Sequence, residues 1–120
     1  MATDPKTGLD IFGPINERTS ALYTSAIIDE LGGKIPLLNS IKLTIIDQST
    51  GVELQPEISV ISSFTLGALA VKLTPEQNRI VNQRKPYEDH IARFDYVYNN
   101  NESTGHHAIL IRIRNLAGLV

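Results

Sequence analysis

Cysteine is absent from the 120 residues, and so is tryptophan. Without cysteine there are no disulfide staples and no thiolate metal ligands, a composition that fits a reducing compartment or a particle assembled in one. Lacking both the Cys pair and the Trp, the chain is not a true antibody-type domain. No run of about 18 apolar residues occurs, so no membrane-spanning helix is expected. The opening residues MATDPKTGLDIFG lack a basic start followed by an apolar stretch, so no secretory leader is expected either. An excess of positive charge is missing too: 11 Lys and Arg face 13 Asp and Glu, for a net charge of −2 and a pI near 5.9. Domains built around nucleic-acid phosphates are usually basic on one face, so no direct nucleic-acid contact is expected.

What is present describes one globular domain. Hydrophobic residues make up 42% and charged residues 20%, near globular averages, and the length suits one core rather than two. Residues 1–18 read as an extended N-terminal arm, punctuated by Pro5, Gly8, Gly13 and Pro14 yet carrying apolar Leu9, Ile11, Phe12 and Ile15. Either these residues cover an edge of the chain's own domain, or they dock on a neighbouring subunit. Residues 19–120 read as a β-sandwich domain. Strand patterns cover 19–29, 41–47, 52–64 with Pro56 marking an edge or bulge, 69–73, 88–98 and 106–114. Thr74-Pro75-Glu76-Gln77 carries the N-cap, first-turn proline and capping-box residues of one or two helical turns reaching Asn82. The last two strands alternate on both sides of the Asn99–Gly105 turn, which predicts a hairpin with Phe94 and Tyr96 opposite Ile109 and Ile111. About seven strands with one short helical turn between the sheets amount to an all-β, immunoglobulin-like β-sandwich.

Residues that could carry chemistry form no constellation. His106 and His107 are adjacent on a strand and so point to opposite faces, and His90 has no ligand at metal-site spacing. Glu88 and Asp89 beside His90 lack a nucleophile on a strained turn. Arg79, Arg84 and Lys85 read as a solvated turn, with contact to an acidic partner surface as the alternative. Asn101-Glu102-Ser103 matches the glycosylation pattern by chance. No catalysis, cofactor or metal centre is expected. The remaining signal is apolar: the last strand places Leu110, Arg112 and Arg114 on the face opposite Ile109, Ile111 and Ile113, then runs into Leu116, Ala117, Leu119 and Val120. Such extensions mark assembly surfaces.

Several stretches together resemble a family. Lys42-Leu43-Thr44-Ile45-Ile46-Asp47 with Thr50-Gly51, Leu73 to Val81 (LTPEQNRIV), Glu88-x-His90-x-Ala92-x-Phe94-x-Tyr96 and the basic strand ending Arg114-Asn115-Leu116-Ala117 are similar to small structural proteins of tailed bacteriophages and prophages, over about residues 21–117. Where that family carries an Asn- and Arg-rich stretch after the Thr-Gly turn, this chain has Val52-Glu53-Leu54-Gln55-Pro56. The resemblance implies a non-enzymatic virion protein assembled in the bacterial host cytoplasm. It points to the head or neck, as a capsid decoration, collar or head–tail adaptor subunit. Its partners would be other virion proteins and further copies of itself, met through Leu9, Ile11, Phe12, Ile15, Leu110, Arg112, Arg114, Leu116, Leu119 and Val120. The alternative is a carbohydrate- or receptor-binding module of a tail, with Tyr87, Tyr96 and Tyr98 stacking on sugars.

Overall fold

The computed structural model describes residues 2–29 and 31–116. Among them eight strands form two sheets packed on one another. The larger sheet contains, in spatial order, β1 (Ile11–Asn16), β8 (Ser103–Arg114), β7 (Tyr87–Tyr98), β3 (Ser40–Asp47) and β4 (Glu53–Ser59). The smaller contains β2 (Ala21–Ala26), β6 (Ala68–Leu73) and the two-residue β5 (Phe64–Thr65). Grouping β2, β6 and β5 against β3, β7 and β8 reproduces the sheet partition of an immunoglobulin-like sandwich.

Period-two patterning places the core. Ile41, Leu43 and Ile45 of β3 pair with Tyr96, Phe94 and Ala92 of β7, and all six side chains are buried. From the smaller sheet, Tyr23, Leu69, Val71 and Leu73 close the interior. A ring stack runs through it: Phe12 meets the edge of Tyr23 at 5.3 Å between centroids, and Tyr23 stacks on Phe94 at 5.9 Å and on His107 at 6.0 Å.

Three expectations change. The segment read as an arm is a strand of the chain's own larger sheet: β1 runs parallel to β8, with Ile11 beside Leu110 and Ile15 beside Ile113. Its register shifts between Phe12 and Ile15, where Gly13 is irreplaceable. A Cβ there would lie 2.7 Å from the Arg112 carbonyl oxygen, and the residue has φ +116°. The helical turns expected through Asn82 shrink to a single turn. Thr74 and Gln77 do exchange the two capping bonds, at 2.9 and 3.2 Å, but Gln77 also donates to Gln55 and Asn78 donates to the Thr19 carbonyl. Those side chains tie the turn to its neighbours, and no helix continues. The regular helical element is instead a 3-10 turn at Ile61–Ser63, inside the stretch read as one continuous strand.

The hairpin register also differs. Phe94 pairs with His107, Tyr96 with Gly105 and Ala92 with Ile109. Asn99, Asn100 and Asn101 all adopt positive φ, between 54° and 67°, so the loop is tight and the second strand starts at Ser103. Gly105 is thereby placed under the Tyr96 ring, where a Cβ would come within 2.6 Å of its hydroxyl oxygen.

Candidate functional site

The two outer faces of the sandwich differ in chemistry. On the larger sheet the outward residues of β7 and β8 are largely polar and paired. Arg112 grips both carboxylate oxygens of Asp89, at 2.9 and 3.1 Å, and this bond raises the already high pKa of its guanidinium. Asp95 accepts from Arg93 at 2.8 Å and contacts His106 at 2.5 Å. Partial burial pushes the Asp95 carboxyl up, but the bonds from His106 and Arg93 outweigh it and hold it below its ordinary value. Lys42 reaches Glu57 at 3.5 Å. Side chains this well paired and solvated gain little by meeting another protein.

The smaller sheet is the reverse. Strict alternation buries Tyr23, Leu69, Val71 and Leu73 and turns Leu22, Thr24, Ala26, Ala68, Ala70 and Lys72 outward, all exposed. The register sets Leu22 beside Lys72, Thr24 beside Ala70 and Ala26 beside Ala68. Lys72 is the one charge on these six positions. Leu66, 75% exposed, stands at the positive-φ turn between β5 and β6, whereas Leu37, 73% exposed, lines a groove with Tyr98 and Asn99 at the hairpin turn. The backbone ties the β5–β6 turn to the end of β2 and to residue 35: the Ile27 N–H donates to the Gly67 carbonyl, and a Cβ on Gly67 would touch the Ile35 oxygen at 3.5 Å.

Against this background the residues expected at an interface fall into several groups. Leu110 lies on the outer parity of β8, yet it has no exposed surface and sits outside the main core cluster. Its backbone N–H donates to Asp10 in the N-terminal segment, and the chain itself covers it, so it is not available to a partner. Phe12 and Ile15 are half-buried against the core, and Ile11 and Leu9 are half-buried as well. Their apolar character serves the chain's own edge. Arg112 is occupied by Asp89, and the Arg114 guanidinium lies 5.9 Å over the Tyr87 ring. Leu116, 42% exposed, keeps an accessible side chain while its N–H donates to Glu17. Leu119 and Val120 lie outside the described residues.

Two further features were missed by sequence reasoning. The first is a groove of about 490 Å³ lined by Ile28, Asp29, Tyr96, Tyr98, Thr104 and His106. Tyr96 is largely core, as its parity predicts, and its hydroxyl donates to the Ile28 carbonyl at 3.2 Å. Tyr87 is elsewhere, beside Pro14 and Asp89. The second is a buried polar cluster at the end of the β3–β7 ladder. Glu88 and His90 share the inward parity of Ala92 and Phe94, and Asp47 is the cross-strand partner of His90. Glu88 accepts the backbone N–H groups of Val81 and Asn82 at 2.7 and 2.8 Å and contacts His90 Nε2 at 2.6 Å. Asp47 accepts from the Thr50 N–H and hydroxyl at 3.0 and 2.6 Å. Extending the parity of Phe94 back along the strand would have found Glu88 and His90; their meeting with Asp47 depends on register. Asp89, grouped with them in sequence, faces the opposite side.

No protein-family model matches the chain, and no significant match exists among curated proteins or solved structures.

Proposed function

We propose that this chain is a structural building block of a larger protein assembly. In line with the resemblance of its motifs to tailed-phage structural proteins, we place it as a non-enzymatic virion subunit of the head or neck: a decoration, collar or head–tail adaptor protein. The observation that carries the assembly reading is the outer face of the smaller sheet. Leu22, Ala26, Ala68 and Ala70 present a smooth, nearly uncharged surface with exposed Leu66 at the adjoining β5–β6 turn, while the opposite face is charged and internally paired. Apolar surface of this kind is stabilised by removal from water. Small side chains allow a flat partner to approach closely. The contact surface therefore shifts from the β8 face and the N-terminal segment to β2 and β6.

The double variant Leu22→Glu, Ala70→Glu tests this. Both positions are exposed, so the thermal midpoint should stay near that of the parent chain. Incorporation into particles, or oligomer mass by light scattering, should collapse. Unchanged assembly of the folded variant would remove this face from consideration, and a parent chain that stays monomeric and absent from particles would remove the proposed role.

A second reading is favoured by the groove of Tyr96, Tyr98, Asp29 and His106, which combines aromatic surface with polar groups as sugar-binding sites do. A glycan-array signal abolished by Tyr98→Ala would promote a carbohydrate-binding role; a blank array would end it.

A further inference from the structure

Among the described residues, three buried side-chain atoms have no hydrogen-bond partner: Asp47 Oδ1, His90 Nδ1 and Asn78 Oδ1. Two of the three belong to one cluster. Asp47 is 1% exposed, His90 is 0% and Glu88 is 4%, and one donor atom from each lies within 4.8 Å of the others. Lone pairs left unanswered in a dry interior carry a large desolvation cost. In this cluster both orphans are on the members whose other polar atoms are already held.

We propose that Asp47, Glu88 and His90 form a buried binding site for a divalent metal ion of the zinc or manganese class. The donor chemistry fits, since one imidazole nitrogen and two carboxylate oxygens are the ligand types these ions accept. Charge fits as well. Neither carboxylate has a Lys or Arg partner among its hydrogen bonds, which go to Thr50, Val81, Asn82 and His90. A dication would balance both carboxylates at once, as buried charge requires. The outer support is in place: Thr50 fixes Asp47 through its other oxygen, and the Val81 and Asn82 N–H groups fix Glu88, as second-shell bonds orient metal ligands. Donors about 2.1 Å from a tetrahedral ion stand about 3.4 Å apart, so the cluster needs side-chain adjustments of roughly 1 Å. Three protein ligands leave the fourth position to water. Because the ligands come from β3 and β7, and their supports from residues 50 and 81–82, the ion would pin the turn after β3 and the β6–β7 connection to the same point. Its role is structural, and its burial means that it enters as the chain folds.

The test is to unfold the full chain with chelator, refold it with or without Zn²⁺, Mn²⁺ or Co²⁺, and measure bound metal, thermal midpoint and the visible spectrum. The expected result is one tightly held ion per chain. The midpoint should rise by about 10 °C when the metal is at 100 times its Kd, and the Co²⁺ form should absorb as a low-coordinate nitrogen–oxygen site. Asp47→Asn and His90→Gln should lose both the ion and the shift. Should either variant fail to fold, the histidine ¹⁵N resonances of the parent chain decide: a metal-dependent shift confined to His90 supports the site. No retained metal and no midpoint change after refolding would overturn the proposal, leaving a hydrogen-bonded pair only. So would binding that persists in both folded variants, or a shift at His106 in place of His90.

Discussion

Phe94 has no exposed surface and packs against both Tyr23 and His107, which also contact each other, with all three ring centroids 5.9–6.0 Å apart. Truncating it to alanine removes one of three mutually packed rings, and Phe94→Ala should cost about 3–5 kcal/mol in denaturant unfolding. Gly105 makes a complementary case, since a methyl group there meets the Tyr96 ring. Gly105→Ala should cost about 1–3 kcal/mol through overpacking, and an unchanged midpoint in guanidinium would mean that the ring can move aside. His107 carries a pH dependence. Burial pushes its imidazole below its ordinary 6.5, with Asp10 acting weakly the other way, while its Nε2 lies 2.5 Å from the Tyr23 hydroxyl. As pH falls through 6.5 the unfolded chain takes up a proton that the folded chain still refuses, so the stabilisation present above that pH is progressively lost below it. The thermal midpoint should therefore decline between about pH 6.5 and pH 5, and more steeply in the parent than in His107→Phe. Parallel profiles for the two proteins would exclude His107 as the source.

At the scale of elements, β1 decides how the N-terminal segment behaves. Phe12 and Ile15 pack on the core, and β1 covers the edge of β8 along the Ile11–Leu110 and Ile15–Ile113 pairs. Deleting residues 1–16 should lower the thermal midpoint by several degrees and leave β8 as a bare edge prone to sheet pairing; light scattering and a melt would report both. A truncated chain with the parent's midpoint would restore the reading of this segment as a detachable arm. The contrast shows what local pattern can carry. Alternation in 41–47, 69–73 and 88–98 was strong enough to place Leu43, Val71 and Phe94 inside, and Pro56 correctly marked an edge strand. Pairing partners were harder to read. Ile11 and Ile15 are equally apolar whether they seal their own sheet or a neighbour's, and nothing near them in sequence names β8. The same limit applied to Leu110, whose outward parity was right but whose cover comes from the other end of the chain. The hairpin register turned on three consecutive asparagines taking left-handed geometry, which shortened the loop and moved every pair in the ladder. Asp47 joins Glu88 and His90 only across a ladder, so no spacing rule along the chain finds that cluster. Leu22 and Ala70 were assigned to strands and Ala68 lay just before one, yet their shared exposure becomes visible only when β2 and β6 are aligned.

Considered whole, the molecule measures 51 × 27 × 22 Å, a slab with one charged and one apolar broad side. The asymmetry separates two modes of association. Contact through the β2–β6 face depends on removing apolar area from water and should persist at about 1 M salt, where screening reaches roughly 3 Å. Contact through Arg93, Asp95 and Arg112 should weaken as salt rises. Sedimentation of the assembly across a salt series distinguishes them, and dissociation at high salt would transfer the interface to the charged side. The pairing of β1 with β8 has a further consequence, for synthesis on the ribosome. Ile11 is made 99 positions before its partner Leu110. Until β8 has left the exit tunnel, β1 has no strand to join and β7 lacks its neighbour, so the larger sheet cannot close before residues 103–114 have emerged. Such long-range closure is intrinsically slow. During that interval the incomplete sandwich would expose the Phe12, Phe94 and Tyr23 rings, and the nascent chain would be a substrate for chaperones that hold aromatic segments.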